Sequence, residues 1–343
     1  MRKLMNVLYV TTPEAYLTKD GENVVVRVED NILGRVPIHI LEGIVTFGYM
    51  GASPRLMGLC AERGVSLSFL SSFGKFMARV EGPVSGNVLL RRRQYRNADD
   101  VSMSAKIAST IVLGKVLNCR TVLQRAVRDH REKIDSGKLE QSIAKMAYQV
   151  KKLEQCRQMD TVRGIEGEAA QTYFSCFSEL VLENKDYFSF SGRSRRPPLD
   201  NMNALISFLY TLLVHDTRSA LETVGLDPAV GFLHRDRPGR PSLALDLIEE
   251  LRPVIADRLA FSLINRKQIN ENGFVRNESG GVVMNDETRK IILTAWQKRK
   301  QEEITHPFLE EKVEIGLLPY VQALLMARFL RGDLDGYPVF IWR

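Results

Sequence analysis

The hydrophobic pattern of this chain changes period once, near residue 84, and that change excludes any fold built from one kind of element. Before it, short β-branched runs alternate with turns: Val7 to Val10, Tyr16 to Thr18, Val24 to Val28, Gly34 to Ile38, Gly43 to Phe47 and Val65 to Leu70. The Asp20-Gly21 step is a hairpin signal. Ser53 to Gly64 reads as one helix, with Pro54 at its first position and Gly64 at its end. After Gly82-Pro83-Val84-Ser85-Gly86 the pattern turns helical and stays so, as in Ser104 through His130 and Ser242 through Leu263. These patterns predict a two-domain α+β protein, with a small β-rich domain over 1–84 and a larger all-α domain over 85–343. The length, 343 residues, and a 44% hydrophobic content suffice for both cores. Asn265 to Asp286, with Gly273, Gly280 and Gly281, reads as an excursion or small hairpin.

A formal net charge of +7 favours a polyanionic partner or an anionic surface, although a mildly basic enzyme with no nucleic-acid role has the same balance. No apolar stretch approaches the roughly 20 residues that span a bilayer. The basic pair Arg2-Lys3 precedes a strand-like run too short for a signal peptide, so the expected location is the cytoplasm. Cys60, Cys119, Cys156 and Cys176 have neither zinc spacing nor a disulfide framework and read as reduced packing residues. There is no P-loop, no dinucleotide fingerprint and no covalent nucleophile with a nearby base.

Chemistry concentrates in three segments. Glu166 lies among small residues in Gly164-Ile165-Glu166-Gly167-Glu168-Ala169-Ala170, and an acid in such a helix is either ion-paired or part of a site. His234 follows Gly231-Phe232-Leu233 and precedes a basic, Pro-rich loop, a setting that suits a structural histidine or a ligand. Asp246 and Glu249, three apart, share a helix face beside Leu243, Leu247 and Ile248, which suits an acidic first turn or ligation. Together the three segments can converge on one metal ion. His39, His130, His215 and His306 lack acidic or cysteine company and read as structural. Arg193, Arg195 and Arg196 lie in an extended loop fixed by Pro197 and Pro198, suited to contacting DNA backbone or buttressing the site. The run Arg91-Arg92-Arg93-Gln94-Tyr95-Arg96 suits a nucleic-acid surface or a solvated helix face. Arg163 and Arg252 lie three residues from Glu166 and Glu249, on adjoining faces.

Residues 164–174, the loop from Arg193 with Asn203 to Tyr210, residues 231–258, and Arg331-Gly332-Asp333-Leu334 together resemble the CRISPR-associated integrase, the larger of the two universal spacer-acquisition proteins. The resemblance covers essentially the whole chain, and its ending and length look most like the type I-C version. It implies that Glu166, His234 and Glu249 bind a divalent metal, Mg²⁺ or Mn²⁺, with Asp246 auxiliary. Glu249 departs from members with Asp at that place. It also implies phosphate contacts by Arg163, Arg193, Arg195, Arg196 and Arg252, and, for Tyr16, stacking on a frayed base pair as an alternative to inward packing. The implied activity is endonuclease and integrase chemistry on double-stranded and branched DNA: a 3′-hydroxyl of a captured fragment attacks the edge of a CRISPR repeat. The implied assembly is a homodimer through the β-rich domain, joined by a small CRISPR-associated partner protein. A structure-selective DNA repair nuclease would use the same ligands. A non-catalytic nucleic-acid scaffold would leave the three polar positions without a reason.

Overall fold

The β-branched runs of the N-terminal part form two sheets in the computed structural model, which describes residues 7–12, 14–41, 43–71, 76–82, 88–278 and 280–342. In chain order the strands are β1 (Val7–Val10), β2 (Tyr16–Asp20), β3 (Asn23–Val28), β4 (Asn31–Pro37) and β5 (Gly43–Phe47), then helix α1 (Pro54–Arg63), β6 (Ser66–Leu70) and β7 (Phe76–Val80). One sheet runs β1-β5-β6-β7, parallel through β6 and closed by antiparallel β7; the other is the antiparallel meander β2-β3-β4. Asp20 pairs with Asn23 across a two-residue turn in which Gly21 takes φ of 57°, a conformation glycine adopts without a Cβ penalty. Ser53 Oγ accepts the Leu56 N–H to start α1, and left-handed Gly64 ends it. Leu17, Val24, Ile44, Leu56, Cys60 and Leu67 form a core with no exposed surface.

This unit is completed from the far end of the sequence. Met1–Ser85 groups with Met284–Gln297, whereas Gly86–Val283 groups with Lys298–Arg343. The returning segment buries Ile292, Leu293 and Trp296, donates from Gln297 Nε2 to the Val7 carbonyl at 3.2 Å, and lays the Arg289 guanidinium over the Phe47 ring. The contiguous 1–84 segment expected from periodicity misses this return, and residue 84 itself lies outside the described residues.

The second unit is mainly helical: α2 (Val88–Asp99), α3 (Val101–His130), α4 (Ser136–Gln155), α5 (Met159–Ser175), α6 (Phe177–Leu180), α7 (Asn201–Thr223), α8 (Ser242–Arg252) and α9 (Arg258–Asn265). It is not all-α. A two-stranded sheet of β8 (Phe274–Arg276) and β9 (Val282–Met284) fills the glycine-containing excursion. After α10 (Asp286–Lys300), a hairpin of β10 (Glu303–Thr305) and β11 (Lys312–Glu314) precedes α11 (Leu318–Arg331). Three-residue strands are too short to print a period-2 signature, which explains the omission.

The 30-residue helix α3 is the spine, packed against α4, α5 and α8. Asp100 caps it by accepting from the Ser102 and Met103 N–H groups. Ile107 and Ile111 pack with Leu221, Leu243, Leu247 and Met326 in a hydrophobic core of this unit. At Gly114 a Cβ would stand 2.2 Å from Val339, so the C-terminal tail can lie against α3 only at a glycine. Among the described residues no helix is long and apolar enough to cross a membrane.

Candidate metal and nucleic-acid site

Helices α3, α5 and α8 each send one charged side chain to a common point. Lys115 of α3, only 1% exposed, directs Nζ at Glu166 Oε1 of α5 and, at 2.7 Å, at Glu249 Oε2 of α8. The Arg252 guanidinium forks onto Glu249 from one turn further along α8, with both contacts at 3.0 Å. Buried charges are tolerated only when paired, and here two acids meet two bases. Burial acts to raise the Glu249 carboxyl, but Arg252, Lys115 and His234 outweigh it and hold the group well below the usual carboxylate range. Glu166 remains 27% exposed at the side chain and forms the open edge of the cluster.

His234 is delivered by a loop that is tied at almost every residue. Asp246, fully buried on α8, accepts from the Phe232 N–H (2.6 Å) and Leu233 N–H (3.0 Å) through Oδ2, and from the His234 N–H (3.0 Å) through Oδ1. The same Oδ1 stands 2.7 Å from His234 Nδ1. An ionised carboxylate can only accept, so Nδ1 donates in this pair, and in the neutral imidazole the lone pair then lies on Nε2. Gly231 makes this approach possible, because a Cβ there would lie 2.8 Å from Asp246 Oδ2. Arg163 donates Nε and Nη2 to the Leu233 carbonyl, Ser104 Oγ donates to that of Phe232, and Gln94 Nε2 donates to those of Asp227 and Val230.

These contacts revise several expectations. Glu166 and Glu249 do come together, but on an ammonium group, and among the described residues no three His, Cys, Asp or Glu side chains are grouped as a metal would need. Lys115 fills the space between the acids. Arg252 faces Glu249 and is 6% exposed, so it is placed to balance charge and not to touch phosphate. Arg193 turns inward, giving Nη1 to Asn203 Oδ1 at 2.7 Å and Nη2 to Ser207 Oγ at 3.0 Å; its burial lowers the guanidinium to about 10. Arg163 is spent on the His234 loop. Arg195 and Arg196 alone of the five remain exposed. Tyr16 opens β2 half-buried.

Two residues escaped sequence reasoning. Lys115 carried a usable signal, since it follows Gly114 on a helix face otherwise occupied by Ile111, Val112, Val116 and Cys119. Gln94 was read as part of a basic run, but it is fully buried and its partners are backbone groups more than 130 positions away, which no local pattern encodes.

Carboxylate oxygens are the donors a hard divalent ion prefers, and the site brings two of them to one cation. Two carboxylates that share one ammonium have oxygens within roughly 5–6 Å of each other, about two hydrogen-bond lengths, and the His234 imidazole acts electrostatically on one of them, Glu249. Glu249 Oε2 is buried, and no hydrogen bond of good geometry reaches it despite the nearby Lys115 and Arg252.

Residues 8–298 match the family model of the CRISPR associated protein Cas1. The chain belongs to the Cas1 family. A relative from Chlorobaculum tepidum, named CRISPR-associated endonuclease Cas1 1, is 52% identical over 343 residues, covering all of both chains. Two solved structures share the Cas1 fold seen here. A casposase bound to integration product matches with TM-score 0.83 at 22% identity, over 97% of this chain and 92% of that one. A chain of a Cas6-RT-Cas1–Cas2 complex matches with TM-score 0.82 at 21% identity, over 100% of this chain and 36% of that one. The family resemblance read from the motifs and the α+β class are thereby established. The matches do not distinguish a type I-C subtype.

Proposed function

We propose that this Cas1 protein is a divalent-metal-dependent DNA endonuclease and integrase that joins short DNA fragments to a CRISPR array. The observation that carries the reading is the meeting of Glu166 and Glu249 on one cation beside His234, whose Nδ1 is held by Asp246. Glu166, Glu249 and His234 Nε2 would hold Mg²⁺ or Mn²⁺, which when bound polarises a phosphoryl oxygen and lowers the cost of generating an oxygen nucleophile. Asp246 fixes the imidazole in one tautomer and one orientation. Arg163, Ser104 and Gln94 hold the loop that carries it. Arg195 and Arg196 contact the DNA backbone and set its register.

In the joining reaction the 3′-hydroxyl oxygen of the captured fragment bonds to a repeat phosphorus, and the phosphorus bond to the adjacent 3′ oxygen breaks. That oxygen leaves as a new 3′-hydroxyl. The reverse reaction, or attack by water, is nuclease activity. The β-rich unit supports a homodimer, and a small Cas partner completes the complex in the cytoplasm; the Cas1–Cas2 complex of the structural neighbour supports the partner. The test incubates the protein with Mn²⁺, a duplex bearing free 3′-hydroxyls and a repeat-containing target. Covalent joining is expected, and it is abolished in Glu166→Ala and His234→Ala, whose DNA affinity stays within about tenfold of wild type because phosphate contacts remain. Cleavage without joining would favour a repair nuclease. Full activity of either variant would remove the ligand assignment.

A further inference from the structure

Acids at a metal centre usually depend on the metal for neutralisation, but this cluster is already balanced. Glu166 and Glu249 bring two negative charges; Lys115 and Arg252 bring two positive ones. The two bases are placed differently. Arg252 grips Glu249 from its own helix, whereas the Lys115 ammonium stands between the acids and touches Glu166 Oε1 and Glu249 Oε2. Lys115 is also 1% exposed, so this ammonium has exchanged water almost entirely for the two carboxylates. A divalent ion added with the lysine in place would bring these four groups to +2, or to +1 with the Asp246 carboxylate counted, in surroundings of low dielectric. Phosphodiesters, with one negative charge each, would offset that excess.

We propose that Lys115 is a built-in competitor for the divalent ion, so that the site takes up metal efficiently only together with DNA phosphate. The inference rests on the metal-dependent reading above. It assigns Lys115 a role in governing occupancy, not in touching the reacting atoms. The coupling is reciprocal by thermodynamic necessity: DNA strengthens metal binding by the factor with which metal strengthens DNA binding.

The test titrates the full-length protein with Mn²⁺, following the free ion by electron paramagnetic resonance, alone and with a blunt duplex whose 3′ ends are deoxy. The duplex by itself serves as the blank. Wild-type affinity for Mn²⁺ should rise at least about tenfold when the duplex is present. Lys115→Met keeps most of the aliphatic stem and deletes the charge; it should bind Mn²⁺ at least about tenfold more tightly than wild type without DNA, and lose most of the coupling. Lys115→Gln, a polar neutral replacement, should behave in the same direction. Equal wild-type affinity with and without duplex overturns the proposal and leaves the metal reading standing. So does weaker Mn²⁺ binding by folded Lys115→Met, which would make the lysine a support for the metal ligands. Absence of Mn²⁺ binding in every form, with or without DNA, overturns the metal reading itself. The wild-type comparison decides the matter even where neither variant folds.

Discussion

Asp246 and Glu249 sit one helical turn apart on the same face of α8, yet their surroundings give them different work. Asp246 has both oxygens committed, to three backbone N–H groups and the His234 ring. Glu249 holds two cations. Asp246→Asn would turn an amide N–H₂ toward donors and loosen the imidazole; joining activity should fall about 10- to 100-fold, with Mn²⁺ affinity reduced less than in Glu249→Gln. Glu249→Gln leaves Lys115 with only Glu166 and Arg252 without its partner. Breaking a buried pair in this way costs about 3–5 kcal/mol, so this variant should also show a large drop in melting temperature without metal. A metal-bound structure with the ion on Asp246 and away from Glu249 would reverse the assignment.

At the level of elements, the loop 193–198 divides its three arginines between two tasks. Arg193 bonds to Asn203 and Ser207 at the start of α7, while Arg195 and Arg196 face solvent. The double replacement Arg195→Ala with Arg196→Ala should flatten the salt dependence of DNA binding by roughly one unit per lost phosphate contact. Arg193→Ala should instead lower stability by about 1–3 kcal/mol, since it strands buried acceptors. An unchanged salt slope in the double variant would return the whole loop to a buttressing role.

The C-terminal tail is a second such element. Glu250 accepts from Tyr337 Oη, the Phe340 N–H and Gln322 Nε2; Asn118 ties the tail to α3, and the Arg125 and Arg258 guanidiniums both lie against the Trp342 ring. Burial, opposed by those hydrogen bonds, pushes the Glu250 carboxyl from 4.5 up to about 7. A raised folded value means the folded state holds the proton more tightly. The resulting stability is complete below about 4.5 and is lost as pH rises through about 7. Asp257, raised by burial to about 6, adds to the same slope. Glu250→Gln should therefore flatten, without abolishing, the fall in denaturation free energy between pH 5 and pH 7.5. An identical slope in the variant would place the titration elsewhere.

For the whole molecule, the N-terminal unit poses the question of assembly. Its meander ends on β4, where Ile32 and Leu33 are 51% and 56% exposed, and Ile40 just beyond is 44% exposed. An apolar sheet edge of this kind favours a partner. The proposed homodimer should therefore shift toward monomer in Ile32→Lys with Leu33→Lys, as measured by sedimentation, with the circular dichroism of the fold retained. A dimer of unchanged stability would move the interface off this edge. Deleting residues 1–85 is a poorer test, because Met284–Gln297 would lose the surface it packs against.

Sequence alone carried what depends on local chemistry. The hairpin at Gly21, the capped helix from Ser53 to Gly64, the six N-terminal strand runs and the long helices were legible because turn residues, caps and hydrophobic periods act over a few positions. Glu166, His234, Asp246 and Glu249 were legible because a polar group among apolar neighbours needs a reason. What stayed out of reach depends on contacts across the chain. The return of Met284–Gln297 to the β-rich unit, the inward turn of Arg193 and the grip of Gln94 on the His234 loop are all of this kind. Only the tertiary structure put Lys115 between two acids located 51 and 134 positions further along the chain, because the separation of Glu166 and Glu249 is set by the packing of three helices and by no residue in any one of them.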